Sequence, residues 1–185
     1  MSDTTNTIRI RILKKAQCGK ISSPSELSLI YNIGYHDKSK SLYFRVITNT
    51  TGGFFSNEWI SLDQILTNIE DNPSDKPFKA IIFKPLYESK GSNNHGFLAA
   101  ALRAEKLLLP VEKQPMSHIT GDLKDFDTAM HKLIKSKTSL EDEVAAAEAI
   151  KAAQLAERVA KMQKANKNSK AVQSVKATIK AAMGK

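Results

Sequence analysis

Leu27-Ser-Leu-Ile-Tyr31-Asn-Ile33-Gly-Tyr35 is followed by the polar run His36-Asp-Lys-Ser-Lys-Ser41 and then by Leu42-Tyr-Phe-Arg-Val-Ile-Thr48. In the first run Leu27, Leu29, Tyr31, Ile33 and Tyr35 recur at every second position, the period of a strand with one buried face. The last run is rich in β-branched and aromatic residues, which suit a pleated, half-buried surface. The connector has hairpin length, so the two strands pair antiparallel. Upstream, Ile8, Ile10 and Ile12 alternate with Arg9 and Arg11, predicting another strand with a buried face and a basic, solvated one. The stretch from Gln17 to Ser25, with Gly19 and Pro24, reads as a loop. Downstream, Asn49-Thr-Thr-Gly-Gly53 is a turn whose glycines permit positive φ, and it brings Phe54 and Phe55 into or beside the same sheet.

Helical patterns follow. Ser61 and Gln64 have the spacing of a capping box, and Ile60 and Ile65 that of a hydrophobic staple. Leu62, Ile65, Leu66 and Ile69 then form an apolar stripe, which Asn72-Pro73 ends. Phe78 to Tyr87 reads as a strand, with Pro85 placing its end at an edge or bulge. A helix from about Gly96 to Leu109, stopped by Pro110, follows with Asn94 as its cap. Its apolar face is Phe97, Leu98, Ala101, Leu102, Leu108 and Leu109. Pro110 to His118 reads as a connector, and Leu123, Phe126, Met130 and Leu133 mark a short helix that docks on the body.

This order predicts an α+β fold, a small mixed or antiparallel sheet with two packed amphipathic helices. The expected organisation is a disordered N-terminus at 1–6, an α+β domain at 7–110, a connector and docked helix at 111–136, and an Ala/Lys-rich, mainly helical basic extension at 137–185. In that extension Ser139 is the expected cap, Glu141, Asp142 and Glu143 suit the positive end of a helix dipole, and Asn166-Lys-Asn-Ser169 is an expected break.

Charge separates the parts. The 185 residues carry a net charge of +9. Residues 151–185 hold nine basic side chains against one acid, Glu157, a net of +8, whereas residues 1–150 are nearly neutral. No aromatic residue follows Phe126, so the tail lacks the material for a large core of its own. Such a polycation fits nucleic acid, because cations that neutralise phosphates release counterions whatever the base sequence. The expected phosphate contacts are Arg158, Lys161, Lys164, Lys167, Lys170, Lys176 and Lys180. Arg9, Arg11 and Arg45, with Tyr43, form an expected second basic face on the sheet, where aromatic and arginine side chains can clamp a single strand.

Two smaller candidates stand beside the tail. Lys90, Ser92 and His95 lie before a helix N-terminus, a place suited to anions. The G-x-x-x-x-G spacing of Gly91 and Gly96 continues as Phe97-Leu98 rather than Lys-Ser, which excludes a Walker A loop. Phe54, Phe55 and Trp59 make an aromatic hairpin suited to docking on a protein. The expected function is non-enzymatic, sequence-independent binding of DNA or RNA by the basic extension. The alternative is an inhibitor or adaptor that docks through the aromatic hairpin and oligomerises or recruits through its C-terminal helices. No catalytic constellation, cofactor motif or metal-ligand spacing is expected. The single Cys18 fits a reducing cytoplasm, and no apolar run is long enough to span a membrane.

Overall fold

The Leu27–Thr48 segment forms the centre of a four-stranded antiparallel sheet. The computed structural model describes residues 9–72, 76–89 and 93–182, with side chains described up to Gln163. In the sheet, β1 (Arg11–Cys18), β2 (Leu29–His36), β3 (Ser41–Asn49) and β4 (Ile60–Ser61) lie in sequence order. Ile33 pairs with Phe44 and Tyr35 with Leu42, so the apolar residues of both strands share the buried face. The first strand sits further along the chain than its isoleucines suggest. It runs to Cys18, through residues read as loop, and a register shift between Ile12 and Lys14 lets Ile12 and Leu13 both be buried.

After β4 come α1 (Leu62–Glu70), the two-residue β5 (Phe78–Lys79), a 3-10 helix (Ala80–Leu86) and α2 (Asn94–Ala104). The expected strand from Phe78 to Tyr87 is therefore mostly 3-10 helix. It contains Pro85, which cannot donate to a ladder, and it turns the fully buried Phe83 inward against the edge of the Phe78 ring. Helix α1 starts after Ser61, but that side chain makes no capping hydrogen bond and Gln64 is exposed, so the capping box does not form. Ile60 and Ile65 are both buried as expected.

Helix α2 ends at Ala104 rather than Leu109. Lys106 takes φ 61°, its N–H donates to the Arg103 carbonyl and that of Leu107 to the Leu102 carbonyl, the two bonds of a Schellman close with lysine in glycine's place. The following residues are not a connector but a hairpin, β6 (Leu108–Val111) and β7 (Gln114–Thr120), which with β5 forms a second antiparallel sheet of order β5-β7-β6. Helix α3 (Lys124–Lys135) follows and closes in the same way, with Lys137 at φ 55° and Thr138 bonded to the Leu133 carbonyl. Among the described residues Lys40 and Lys113 also take positive φ, each at a turn.

One core joins these elements. Tyr31, Ile33 and Phe44 of the sheet meet Ile65 and Ile69 of α1, Phe97 to Leu102 of α2, and Phe126 and Met130 of α3. The Phe126 ring stacks on Phe44 with centroids 5.9 Å apart, which seats α3 as the sequence predicts. Beyond α3, Leu140 donates its backbone N–H to the Ile12 carbonyl at the edge of β1. The fold of this unit is α+β. A second unit begins at Asp142 and consists of the 40-residue α4 (Glu143–Ala182). Its backbone passes through Asn166–Ser169 without the expected break, since a run dominated by alanine and other strong helix formers tolerates a few weaker ones.

Candidate nucleic-acid interface

Asp142, not Ser139, caps α4, and its Oδ1 accepts from the N–H groups of Val144 and Ala145 at 3.1 Å. Cap and alanines together account for a helix of about 60 Å at 1.5 Å per residue. Every side chain from Ala147 to Gln163 is exposed. Arg158 and Lys161 are among them, and Lys161 lies 2.6 Å from Glu157 one turn back, so the tail's only acid offsets one of its cations. An exposed i,i+4 pair of this kind contributes only about 0.3–0.5 kcal/mol and is readily exchanged for another anion. The backbone of Lys164, Lys167, Lys170, Lys176 and Lys180 continues the helix, while their side chains lie outside the described residues. The same helix leaves Ile150, Leu155, Val159 and Met162 between 45% and 72% exposed.

The expected second basic face is not assembled. Arg9 is exposed, but Arg11 is committed within the body. Its guanidinium forms a paired bond with Asp37, at 2.9 and 3.3 Å, and also donates to the Thr138 carbonyl at 2.6 Å. The hydrogen bond to Asp37 raises the Arg11 pKa and lowers that of Asp37. Arg45 is buried, with its guanidinium 4.1 Å from the centre of the Trp59 ring. Trp59 also covers Gly34, where a Cβ would come within 2.8 Å of the indole. The alternation rule missed this because the loop after Gly53 folds Trp59 back over a face that it assigns to solvent.

The three aromatic candidates separate for the same reason. Trp59 packs on Arg45 and Phe55 packs against the core, whereas Phe54 is 93% exposed. Its loop is held at several points. Ser56 donates its N–H to Oδ1 of the buried Asn94 at 2.8 Å, and Asn94 Nδ2 reaches Ser89, so Asn94 ties two loops together instead of capping α2. Glu58 accepts from the Ser56 hydroxyl at 2.5 Å and from the Glu88 and Ser89 amides at 2.9 and 3.0 Å. Burial works to raise the Glu58 pKa, but these bonds outweigh it and bring it to about 2. Gly52 and Gly53, at φ 80° and 95°, turn the chain toward Phe54.

Of the anion candidates, Lys90 and Ser92 lie outside the described residues. His95 is partly buried, and burial together with the charge of Lys84 lowers its pKa.

Three further features come from the fold. Glu105 accepts from the Tyr31 hydroxyl at 2.5 Å and from Lys14 at 2.7 Å, joining residues 74 and 91 positions apart. Burial, then the Glu105 charge, pushes the Cys18 thiol to about 11, so it is a protonated, unreactive wall of a cavity of about 320 Å³. Arg103 lines the same cavity, but its donors go to His118 and to the carbonyls of Pro115 and Ser117. Among the described residues no three His, Cys, Asp or Glu side chains gather to hold a metal ion, and no helix is long and apolar enough to cross a membrane. Comparison of the chain with protein-family models, curated proteins and solved structures finds no match.

Proposed function

We propose that this protein binds nucleic acid through its basic C-terminal helix, by phosphate contacts that do not depend on base sequence. The observation that carries this reading is α4 itself, one helix in which every side chain from Ala147 to Gln163 is exposed and whose final stretch belongs to a +8 segment. Regularly spaced cations on an exposed helix meet phosphates without rearrangement and gain from counterion release. The body adds little to this surface, since Arg11 is paired and Arg45 is buried. The expected chemistry is therefore electrostatic, with no base stacked on the sheet.

The test is a titration by fluorescence anisotropy of unrelated DNA and RNA sequences at several salt concentrations. Affinity falls steeply with salt and differs little between sequences. Replacing Lys161, Lys164, Lys167 and Lys170 together with Gln weakens all of them alike, and each phosphate left without its lysine flattens the logarithmic salt slope by about 0.9 on duplex DNA. Absence of binding at about 50 mM salt, where a cluster of this charge has its greatest pull, overturns the reading.

A second reading rests on Phe54. An aromatic side chain 93% exposed on a loop held by Glu58 and Asn94 suits a protein-docking anchor, because it loses little conformational freedom on binding. Under that reading Phe54→Ala abolishes capture of a partner and the lysine changes alter mainly the association rate. Under the first, Phe54→Ala leaves nucleic-acid affinity unchanged.

A further inference from the structure

A cavity of about 220 Å³ opens between the loop after β1, the end of β5, the first turn of α2 and β7. Among the described residues its cations are Lys20 and Lys79, and no acidic side chain lines it. The Lys20 ammonium is held in place, 5.3 Å from the centre of the Phe97 ring and donating to the Thr51 hydroxyl. It has three protons, so donors remain for another acceptor. The Gly96 and Phe97 amides are already bonded to the Asn93 carbonyl, so the site's positive character comes from lysines rather than from those two amides of the helix. The cavity also has apolar walls, with Ile81 and Met116 among its lining residues. These two side chains are 52% and 53% exposed, an apolar surface beside lysines that have no carboxylate partner among the described residues.

We propose that this cavity binds a small amphipathic anion, a single ring or short chain carrying a phosphate monoester or carboxylate, with the anionic group on Lys20 and Lys79 and the apolar part on Ile81 and Met116. Each half of the site is weak alone. A phosphate in water gains little from one exposed and one partly buried lysine, and a ring gains little from two half-covered side chains; joined in one ligand, both contacts form for one loss of translational freedom. The volume is below the roughly 300–1,000 Å³ of pockets that hold drug-sized molecules, which limits the ligand to about one ring. His95, on the cavity wall with its pKa lowered, is neutral at pH 7 and offers a hydrogen bond rather than a third charge. This site is independent of the basic helix.

The experiment is an amide NMR titration of the full-length protein with phenyl phosphate, and separately with inorganic phosphate and with phenol. Saturable shifts at Lys20, Ile81, His95 and Met116 are expected with phenyl phosphate, with affinity about tenfold or more above that of either half alone. Lys79→Met and Met116→Asp alter exposed side chains on different elements, and each lowers that affinity by about tenfold while the remaining spectrum stays that of the folded protein. The four-lysine Gln variant of α4 binds phenyl phosphate as the wild type does. Shifts confined to α4, equal binding of inorganic phosphate, or affinity unaltered in both Lys79→Met and Met116→Asp overturn the proposal.

Discussion

Arg103 donates from Nε to Nδ1 of His118 at 2.9 Å, and His118 is fully buried. The ring therefore accepts at Nδ1 and carries its proton on Nε2, for which the structure offers no hydrogen-bond partner. A second proton would place an imidazolium against a guanidinium, with no carboxylate of the described residues bonded to either. Burial first, and then the Arg103 charge, lowers the His118 pKa to about 4. In the unfolded chain the same group titrates near 6.5. The unfolded state thus takes up a proton first as the pH falls, and His118's contribution to stability, complete above about 6.5, is lost progressively toward about 4. Urea unfolding at pH 7, 5.5 and 4.5 measures this decline, and His118→Gln flattens it. Equal wild-type stability at the three pH values contradicts the assignment.

Glu58 makes a different pH prediction. Its pKa is depressed from 4.5 to about 2, so its contribution is present above 4.5 and disappears as the pH falls toward 2. Glu58→Gln keeps the shape but turns one accepting oxygen into a donor facing a backbone N–H. The expected cost at pH 7 is about 1–2 kcal/mol, since a hydrogen bond to a charged group is worth somewhat more than a neutral one and this site is only partly buried. Hydrogen exchange at Glu88 and Ser89 accelerates in the variant; unchanged exchange shows that the amides are held by something else.

The start of α1 separates backbone from side-chain effects. Ser61 is at the cap position with φ −65° and ψ 136°, yet its hydroxyl makes no capping bond. Ser61→Ala therefore costs a few tenths of a kcal/mol rather than the roughly 1 kcal/mol of a working cap. Ile65 is 1% exposed, and Ile65→Ala costs about 2–5 kcal/mol. Chemical denaturation of the two variants compares them directly, and a loss at Ser61 as large as a working cap's means that the bond forms in solution.

Lys106 closes α2 at φ 61°. A residue with a Cβ is strained there by about 1 kcal/mol, whereas glycine is not, although glycine adds entropy to the unfolded chain. Lys106→Gly is expected to raise stability by about 0.5–1 kcal/mol, read from the denaturation midpoint at unchanged slope. A fall in stability would mean that the lysine side chain contributes interactions of its own.

The parts of the fold that follow from local pattern were legible in the chain. Alternation from Leu29 to Tyr35 and the β-branched run after Ser41 suffice for the central hairpin, and the Phe126–Met130 spacing suffices for α3. The second hairpin was not legible, because Leu107-Leu108-Leu109 extends the helical period of α2 and its turn, Glu112-Lys113, lacks glycine or asparagine. Helix termination there depends on a lysine adopting positive φ, a choice that composition does not signal. The charge of the tail needs only counting. The roles of Arg11 and Arg45 depend on Asp37 and Trp59, whose proximity comes from strand register and from a loop that folds back. The cavity at Lys20 and Lys79 gathers four separate segments, and no spacing along the chain encodes it.

The bond from Leu140 to the Ile12 carbonyl has a consequence for the order in which the body is completed during synthesis. The four strands of the first sheet are neighbours in space in the order in which they are made, so each can pair with the last across a modest loop. The far edge of β1 is different. Its partners come from the end of the unit, and Arg11 meets Thr138 across 127 positions. Until that segment leaves the ribosome, β1 lacks its Leu140 partner at Ile12, and among the described residues Asp37 is the counter-charge of Arg11. The outer edge of β1 is thus sealed after the rest of its sheet, by the same few residues that lead into the basic helix.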